Sequence, residues 1–276
     1  MKKALFKDSI REIKYTYKRF ISILLMAFLG VGFFAGIRAA SPDMVDTIDT
    51  YYKNQNVYDI QVISTLGLTD DDVHALSNVE NVEQVVATFE NDGQISIDNK
   101  EIITRVMCID NLNSPVLIEG HLPESKNECV VESSFLTENN KKIGDTIELN
   151  IEDSTNDEGE SIPYLQETTL TIVGTIQSPI YISLDRGTSN LGAGKVDYYL
   201  YISKENVNAN SIYTNIYIKV KDADKYTTSS DEYENYIDEV VSNIENIKSE
   251  RENARHDTLI NIANEKITDA EEELNT

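Results

Sequence analysis

The sequence is poor in cations, cysteine and histidine, and each shortage closes off a class of function. It carries 24 Lys and Arg against 48 Asp and Glu, a formal net charge of −24. Nucleic-acid affinity comes mainly from Lys and Arg neutralising phosphates, so no nucleic-acid partner is expected. Only two cysteines, Cys108 and Cys129, and three scattered histidines, His74, His121 and His256, occur in 276 residues. They fall at no metal-ligand spacing. The cysteines either form a disulfide or are two small buried residues on neighbouring strands, and we favour the second reading. Catalytic signatures are missing too: there is no G-x-S-x-G elbow, no H-E-x-x-H and no Cys–His arrangement. Leu191-Gly-Ala-Gly-Lys195 falls short of a P-loop, with Ser189 where the first Gly belongs and Val196 where Ser or Thr belongs. Its glycines, with Gly187, read as a flexible outer loop. Carboxylates are too common in so acidic a chain to single out a catalytic pair. No catalytic, cofactor-binding or metal-ligating residue is therefore predicted.

What is present is a core and a strongly uneven charge. A hydrophobic content of 40%, with 15 Tyr and 7 Phe, excludes wholesale disorder. Residues 1–19 hold seven cations (Lys2, Lys3, Lys7, Arg11, Lys14, Lys18 and Arg19) against Asp8 and Glu12, a net +5 that leaves −29 for the other 257 residues. Next comes FISILLMAFLGVGFFAGI, residues 20–37, with no ionisable group and Ser22 as its only polar side chain. Eighteen helical residues rise about 27 Å, close to the roughly 30 Å of bilayer hydrocarbon. A membrane-spanning helix is favoured over two alternatives. A cleaved signal peptide would have a shorter basic region and a better cut than one after Ala39 or Ala40, with Ile37 or Arg38 at −3. A buried soluble helix would show a polar face. The positive-inside rule then puts residues 1–19 in the cytoplasm and everything after about Arg38 outside. Leu5, Phe6, Ile10, Ile13 and Tyr17 recur at helical spacing, as in an amphipathic helix lying on membrane lipid; a solvated basic tail is the alternative.

From Ser41 the composition becomes that of an α+β domain. Ser41-Pro42-Asp43 reads as a helix start, with Met44, Val45, Ile48, Tyr51 and Tyr52 on one face continuing the membrane helix outwards. Residues 58–64 alternate as a strand does. Residues 69–76 read as a short helix capped by Thr69, with Asp72 completing the box. Asp70–Asp72 lack the alternating spacing and glycine of a calcium loop. Strand signals follow at 82–89, 94–97, 102–109, 128–131, 143–151, 168–176, 198–202 and 212–220, several of them alternating, which suits a mainly antiparallel sheet. Residues 153–160 form an acidic loop expected at a hairpin tip. After about Ser230, Tyr233, Ile237, Val240, Ile244 and Ile247 make a heptad seam. It weakens at Arg251, Ala254 and Thr258 and resumes at Leu259, Ala263, Ile267, Ala270 and Leu274. A helix packed on the domain explains its first half as well as a coiled coil does. The second half reads as a stalk in solvent, and an unpaired seam reaching Asn275-Thr276 is what a continuing chain would show. Residues 231–276 carry 4 Lys and Arg against 14 Asp and Glu, so a partner of the stalk is expected to be basic.

EGHLPESKNECVV, residues 119–131, resembles the E-G-R-x-P…N-E-(I/V)-V-(I/V) stretch of FtsX-like permeases, with His121 in place of the usual Arg. Lys142-Ile-Gly-Asp-Thr-Ile147 followed by Leu170-Thr-Ile-Val-Gly-Thr-Ile176 resembles their G-D-x-(I/V)…(F/L)-x-(I/V)-V-G strand pair. Leu66-Gly-Leu-Thr69 with residues 79–86 is similar to the family's opening helix and strand. Together with the basic helix, single span and outer domain, these match the amino-terminal architecture of MacB-like proteins over residues 1–249 or so. The resemblance implies a permease subunit of an ABC transporter that transmits force, with ATP hydrolysed by a separate cytoplasmic ATPase. The long final helix resembles the coiled-coil insertion of some Gram-positive members. The family has four or more membrane helices where this chain shows one, so the others are expected beyond Thr276. Four regions are expected: a cytoplasmic-face helix (1–19), a membrane helix (20–37), an extracytoplasmic α+β core (38–230) and a helical stalk beginning a coiled coil (231–276). Expected partners are the ATPase, membrane lipid, a second permease copy or paired permease, and an extracytoplasmic protein or substrate. The alternatives are a single-pass anchor presenting a binding domain with no ATPase, and a secreted hydrolase maturing near Ser41.

Overall fold

The computed structural model describes residues 2–98, 100–156, 158–183 and 185–274. It divides into two compact units, Met1–Thr50 and Tyr51–Thr276.

In the first unit, helix α1 (Lys2–Tyr15) leads into α2 (Tyr17–Asn54) through a bend at Thr16, whose N–H and hydroxyl both donate to the Glu12 carbonyl at 2.9 Å. The side chains of Phe6, Ile10 and Ile13 are exposed; that of Leu5 lies outside the described residues. α2 contains the apolar stretch and is, among the described residues, the one helix long and apolar enough to cross a membrane, with none of that stretch buried. The helix start expected at Ser41-Pro42 is not a start, because Pro42 lies inside α2. A proline forfeits one backbone bond to the i−4 carbonyl, whereas ending and restarting a helix orphans several donors and acceptors.

The second unit holds two sheets. The smaller orders β1 (Ile60–Leu68), β12 (Tyr213–Val220) and β2 (Val82–Thr88), all antiparallel. The larger contains β3 (Glu90–Ile97), β4 (Lys100–Cys108), β5 (Val116–Gly120), β6 (Glu128–Glu132), β7 (Thr146–Ile151), β10 (Thr169–Gln177) and β11 (Tyr198–Ile202). Its order is β5-β10-β6-β11-β4-β3-β7, and β7 also pairs with β10, which closes six strands into a ring with β5 on its flank. Within it, β10–β6 and β11–β4 are parallel and the other pairs antiparallel. A minor hairpin of β8 (Ser154–Thr155) and β9 (Ser161–Ile162) stands where the acidic hairpin tip was expected. β2 and β3 belong to different sheets, with Phe89 between them.

Alternation sets the ring's interior. Ile95, Ile102, Val106, Val131, Ile147, Leu149, Leu170, Ile172, Leu200 and Ile202 fill one cluster. The opposite faces of β4, β6, β10 and β11 carry Met107, Val130, Val173, Tyr199 and Tyr201, covered by Ile180 and Tyr181. That double burial is why Tyr198–Ile202 is apolar throughout instead of alternating. Neither β5 nor the one-turn α4 (Ser133–Glu138) announces itself in the sequence, since the outer flank of the ring leaves four of the five β5 residues exposed. Gly120 explains the Glu-Gly pair in sequence 119–131. It ends β5 at φ +82°, and a Cβ there would lie 2.1 Å from the Val173 carbonyl oxygen of β10.

Cys108 and Cys129 sit on β4 and β6, each paired with Ile202 of the intervening β11. They are therefore on next-but-one strands, not neighbours. Two strand spacings, about 10 Å, exceed the roughly 7 Å Cα limit for a disulfide, and both thiols are free and buried. Burial pushes the Cys108 thiol up to about 12, with Asp110 adding to the effect, and burial raises Cys129 as well. Both should resist maleimide in the native protein and react only after unfolding; labelling of the folded chain within minutes would contradict this packing.

Helices α3 (Asp70–Ser77) and α5 (Asp231–Leu274) cover the smaller sheet. Thr69 and Asp72 form the expected capping box, the Thr69 N–H donating to the Asp72 carboxylate at 2.8 Å. The first half of the α5 seam packs on the domain: Val240 is fully buried, and Tyr233, Ile237, Ile244 and Ile247 join the same cluster. Where the seam weakens, Arg251 pairs with Asp72 (2.8 Å) and Arg255 donates to the Leu66 carbonyl (3.2 Å). Further on, Lys266 reaches the Glu158 carbonyl (3.0 Å). The expected free stalk is thus tethered as far as Lys266, because its cations find fixed acceptors on the acidic domain. Ile267 is exposed, and the helix terminus expected at Asn275-Thr276 lies outside the described residues.

Candidate coupling site

A group of buried and half-buried polar contacts in the second unit surrounds residues 53–59, the chain at and just after the end of α2. Just past α2, the carbonyls of Gln55 and Asn56 accept from the Ser114 and Asn113 N–H groups at 3.1 and 3.0 Å. Asn56 in turn donates its side chain to the Asn111 carbonyl (2.9 Å), and the Tyr58 N–H donates to Asn113 Oδ1 (3.1 Å). The loop after β4 therefore holds the segment that leaves α2, while the last-turn carbonyls of Tyr51, Tyr52 and Lys53 accept from the N–H groups of Gln55, Val57 and Asn56.

Lys219 of β12 ties the same chain segment to α5. Its ammonium donates to the Val57 carbonyl (3.0 Å) and pairs with Asp59 and Asp224, both at 3.3 Å. Asp59 also accepts from the Val220 N–H (2.8 Å) and from the Tyr233 hydroxyl in the first turn of α5 (2.7 Å). Tyr236 of α5 donates to the Lys221 carbonyl, and Lys53 donates to the Tyr226 carbonyl in the segment that precedes α5.

A second cluster bridges the two sheets. Arg105 of β4 grips Asp92 of β3 with Nε at 2.8 Å and Nη2 at 3.2 Å, and its Nη1 lies 3.3 Å from Glu90. Glu90 accepts from the Tyr217 hydroxyl (3.1 Å) and the Asn215 amide (3.4 Å) of β12. Tyr217 stacks on Tyr58 at 4.5 Å, which joins this cluster to the Lys219 region. Burial, only partly opposed by Arg105, raises the Glu90 carboxyl above its ordinary value of 4.5. Burial, with Glu90 nearby, pushes the Tyr181 phenol up to about 12.

A folded-state value above the unfolded one makes the native state bind more protons, so stability falls as pH rises from the ordinary carboxylate value through the raised one. Glu90→Gln leaves the Arg105–Asp92 pair neutral and removes the buried charge that titrates. The variant is expected to unfold within about 1 kcal/mol of wild type at neutral pH and to lose that acid-side gain. A urea-midpoint series from pH 5 to 8 that keeps the wild-type slope would contradict this.

None of these residues stood out as a site in the sequence, where carboxylates and lysines are everywhere. Arg105 left one trace, a lone cation in the apolar run IITRVMC. In the Leu191–Lys195 turn, Gly194 donates to the Leu191 carbonyl, Thr188 pairs with Lys195, and Arg105 donates to the Thr188 carbonyl (3.1 Å). His121 ends beside β5, exposed, with Nδ1 2.8 Å from the Leu122 carbonyl. Among the described residues, no three His, Cys, Asp or Glu side chains are grouped to hold a metal ion.

The chain thus joins an apolar helix, long enough to cross a membrane, to a sheet-rich α+β domain with a long covering helix. Residues 20–236 match the MacB-like periplasmic core domain, and the chain belongs to that family, the outer domain of FtsX/MacB-like ABC-transporter permeases. Among solved structures it is similar to the extracellular domain of the noncanonic ABC-type transporter YknZ from Gram-positive bacteria. That match has 12% identity over 64% of this chain and 85% of the other, with a TM-score of 0.35. It is also similar to the periplasmic region of MacB from Actinobacillus actinomycetemcomitans, with 12% identity over 66% and 75% of the two chains and a TM-score of 0.36. No curated protein sequence matches the chain.

Proposed function

We propose that the chain serves an FtsX/MacB-type ABC transporter as its permease subunit, passing movement driven by a separate cytoplasmic ATPase into the extracytoplasmic domain. In this reading residues 1–19 lie on the inner leaflet, 20–37 cross the membrane, 38–230 form the outer core and 231–276 carry motion to an outer partner. The subunit itself catalyses nothing and works paired with a second permease. The observation that carries the reading is the Lys219–Asp59 junction, where the residues leaving α2 and the first turn of α5 share one buried ion pair. Movement of either helix must break or carry these bonds, so a stiff element on each side can be coupled through them. The net −29 beyond residue 19 favours a basic partner outside, and the +5 foot favours anionic lipid inside.

Affinity purification of the full-length protein from membranes tests this. An ATPase subunit should co-purify, and spin labels on α5 and β7 should change separation on ATP addition. Recovery without any ATPase would overturn the reading and leave the single-pass anchor. Protease added outside intact cells should remove the region after residue 38 and spare residues 1–19.

A further inference from the structure

A cavity of about 420 Å³ opens where the two sheets meet, beside Phe89 between β2 and β3, Tyr213 at the start of β12 and the 3-10 turn Lys204–Asn206 after β11. One side of it is apolar. The Phe89 and Tyr213 rings lie 5.1 Å apart at 45°, and Val207 is buried next to them. The charged side reverses the balance of the chain. Among the described residues that line it, Lys204 and Lys126 are cations and Glu205 is the acid, whereas acids outnumber bases two to one over the sequence.

Both ammonium groups are held at this wall. Lys204 Nζ lies 5.8 Å from the Phe89 ring centre and 5.7 Å from that of Tyr213. It donates to the Ala87 carbonyl at 2.8 Å, while Asp110, at 3.6 Å, is past hydrogen-bond reach. Lys126 donates to Gln166 Oε1 at 2.7 Å, and Gln166 Nε2 is anchored on the Glu205 and Val207 carbonyls at 3.0 and 3.3 Å. An ammonium has three donors, so each lysine keeps two after these bonds.

We propose that this cavity binds an organic carboxylate with an apolar body, the carboxylate on Lys204 and Lys126 and the body on the Phe89 and Tyr213 rings. Two lysines and one glutamate leave a wall of net +1, which matches one carboxylate and not a phosphate dianion. An apolar floor with a few convergent polar groups at the seam between layers is the usual form of a small-ligand site, and the volume is of the usual size. Such a ligand would touch β12 and the β2–β3 connection of both sheets at once. The inference goes beyond the permease reading and does not rest on it.

The test is calorimetric titration of the full chain in lipid nanodiscs, with empty discs as the blank. The probes are N-acetyl-phenylalanine, its neutral amide and inorganic phosphate. The acid should bind at least about tenfold more tightly than the amide, the scale of one charge-assisted hydrogen bond, and more tightly than phosphate. Lys204→Gln should weaken it about tenfold and Lys126→Gln several-fold, whereas Lys248→Gln, an exposed cation of α5 outside the cavity, should leave it unchanged. Ala209→Trp, which fills the cavity from its exposed rim, should weaken binding at least about tenfold without lowering the melting temperature. Equal binding of acid and amide overturns the site. So does phosphate binding as tightly as the acid, which would mark an anion patch without an apolar floor, and so does equal loss in Lys248→Gln. Should Lys204→Gln fail to fold, Ala209→Trp decides, and wild-type affinity in that variant overturns the proposal.

Discussion

Replacing Lys219 with methionine is expected to lower the melting temperature by about 6–12 °C. The Lys219 and Asp59 side chains are 9% and 3% exposed, so water cannot take over the partner left behind. Removing one member of a buried pair costs roughly 3–5 kcal/mol, because the other keeps its desolvation without its counter-charge. The two hydrogen bonds that Asp59 retains, from Val220 and Tyr233, put the expected loss near the lower end, about 3 kcal/mol. For a domain of this size each kcal/mol shifts the melting temperature by roughly 2–4 °C. Methionine keeps the length and apolar stem of lysine, so the loss reports charge and not a cavity. Adding Asp59→Asn should recover more than half of it, since the pair is then replaced and not broken. Thermal unfolding followed by circular dichroism reads both effects, and a loss below about 1 kcal/mol would mean that the ion pair does not lock the junction. If the junction carries motion, the single variant should also shrink the ATP-dependent change in separation between α5 and β7.

Arg105→Met should be about as damaging, and its damage should depend on pH. Arg105 is the cation that faces both Glu90 and Asp92, whose side chains are 17% and 16% exposed. Without it, two half-desolvated carboxylates face each other, at a cost of roughly 3 kcal/mol at neutral pH. Burial already raises Glu90, Asp92 raises it further, and Arg105 is the charge that lowers it. Losing Arg105 therefore pushes proton uptake by the native state further up the pH scale. Native-state protonation relieves the repulsion, so the deficit should shrink as pH falls towards the carboxylate range and grow as it rises. Urea midpoints at pH 5 and pH 8 measure this directly. A deficit as large at pH 5 as at pH 8 would show that Arg105 acts through packing alone.

The elements that the sequence made legible are those whose signal is local. The apolar span needs only composition, the Thr69–Asp72 box only a spacing of three, and the strands at 102–109 or 212–220 only a run of apolar residues. The motifs at 119–131 and 170–176 were readable for a similar reason, since Gly120 and Gly174 mark the close approach of β5 and β10. β5 itself was hidden because its side chains stand mostly in solvent and do not alternate.

Ring closure, the cysteine placement and the coupling site were decided only by tertiary structure. Alternation tells which face of a strand is buried but not which strand lies beside it. Thr169–Thr171 meeting Thr146–Glu148 to close the ring, and β11 parting Cys108 from Cys129, are therefore invisible in one dimension. Charge is likewise anonymous until it is buried. Among 48 acids and 24 bases, nothing local distinguishes Asp59, Glu90, Arg105 or Lys219. Their roles come from being withdrawn from water beside one another, where removing one partner of an ion pair costs several kcal/mol instead of nearly nothing. By itself the sequence determined an apolar helix long enough to cross a membrane, the α+β character of the domain and its family. Which residues bind the end of α2 to the start of α5 depends on burial, and burial is a property of the folded chain.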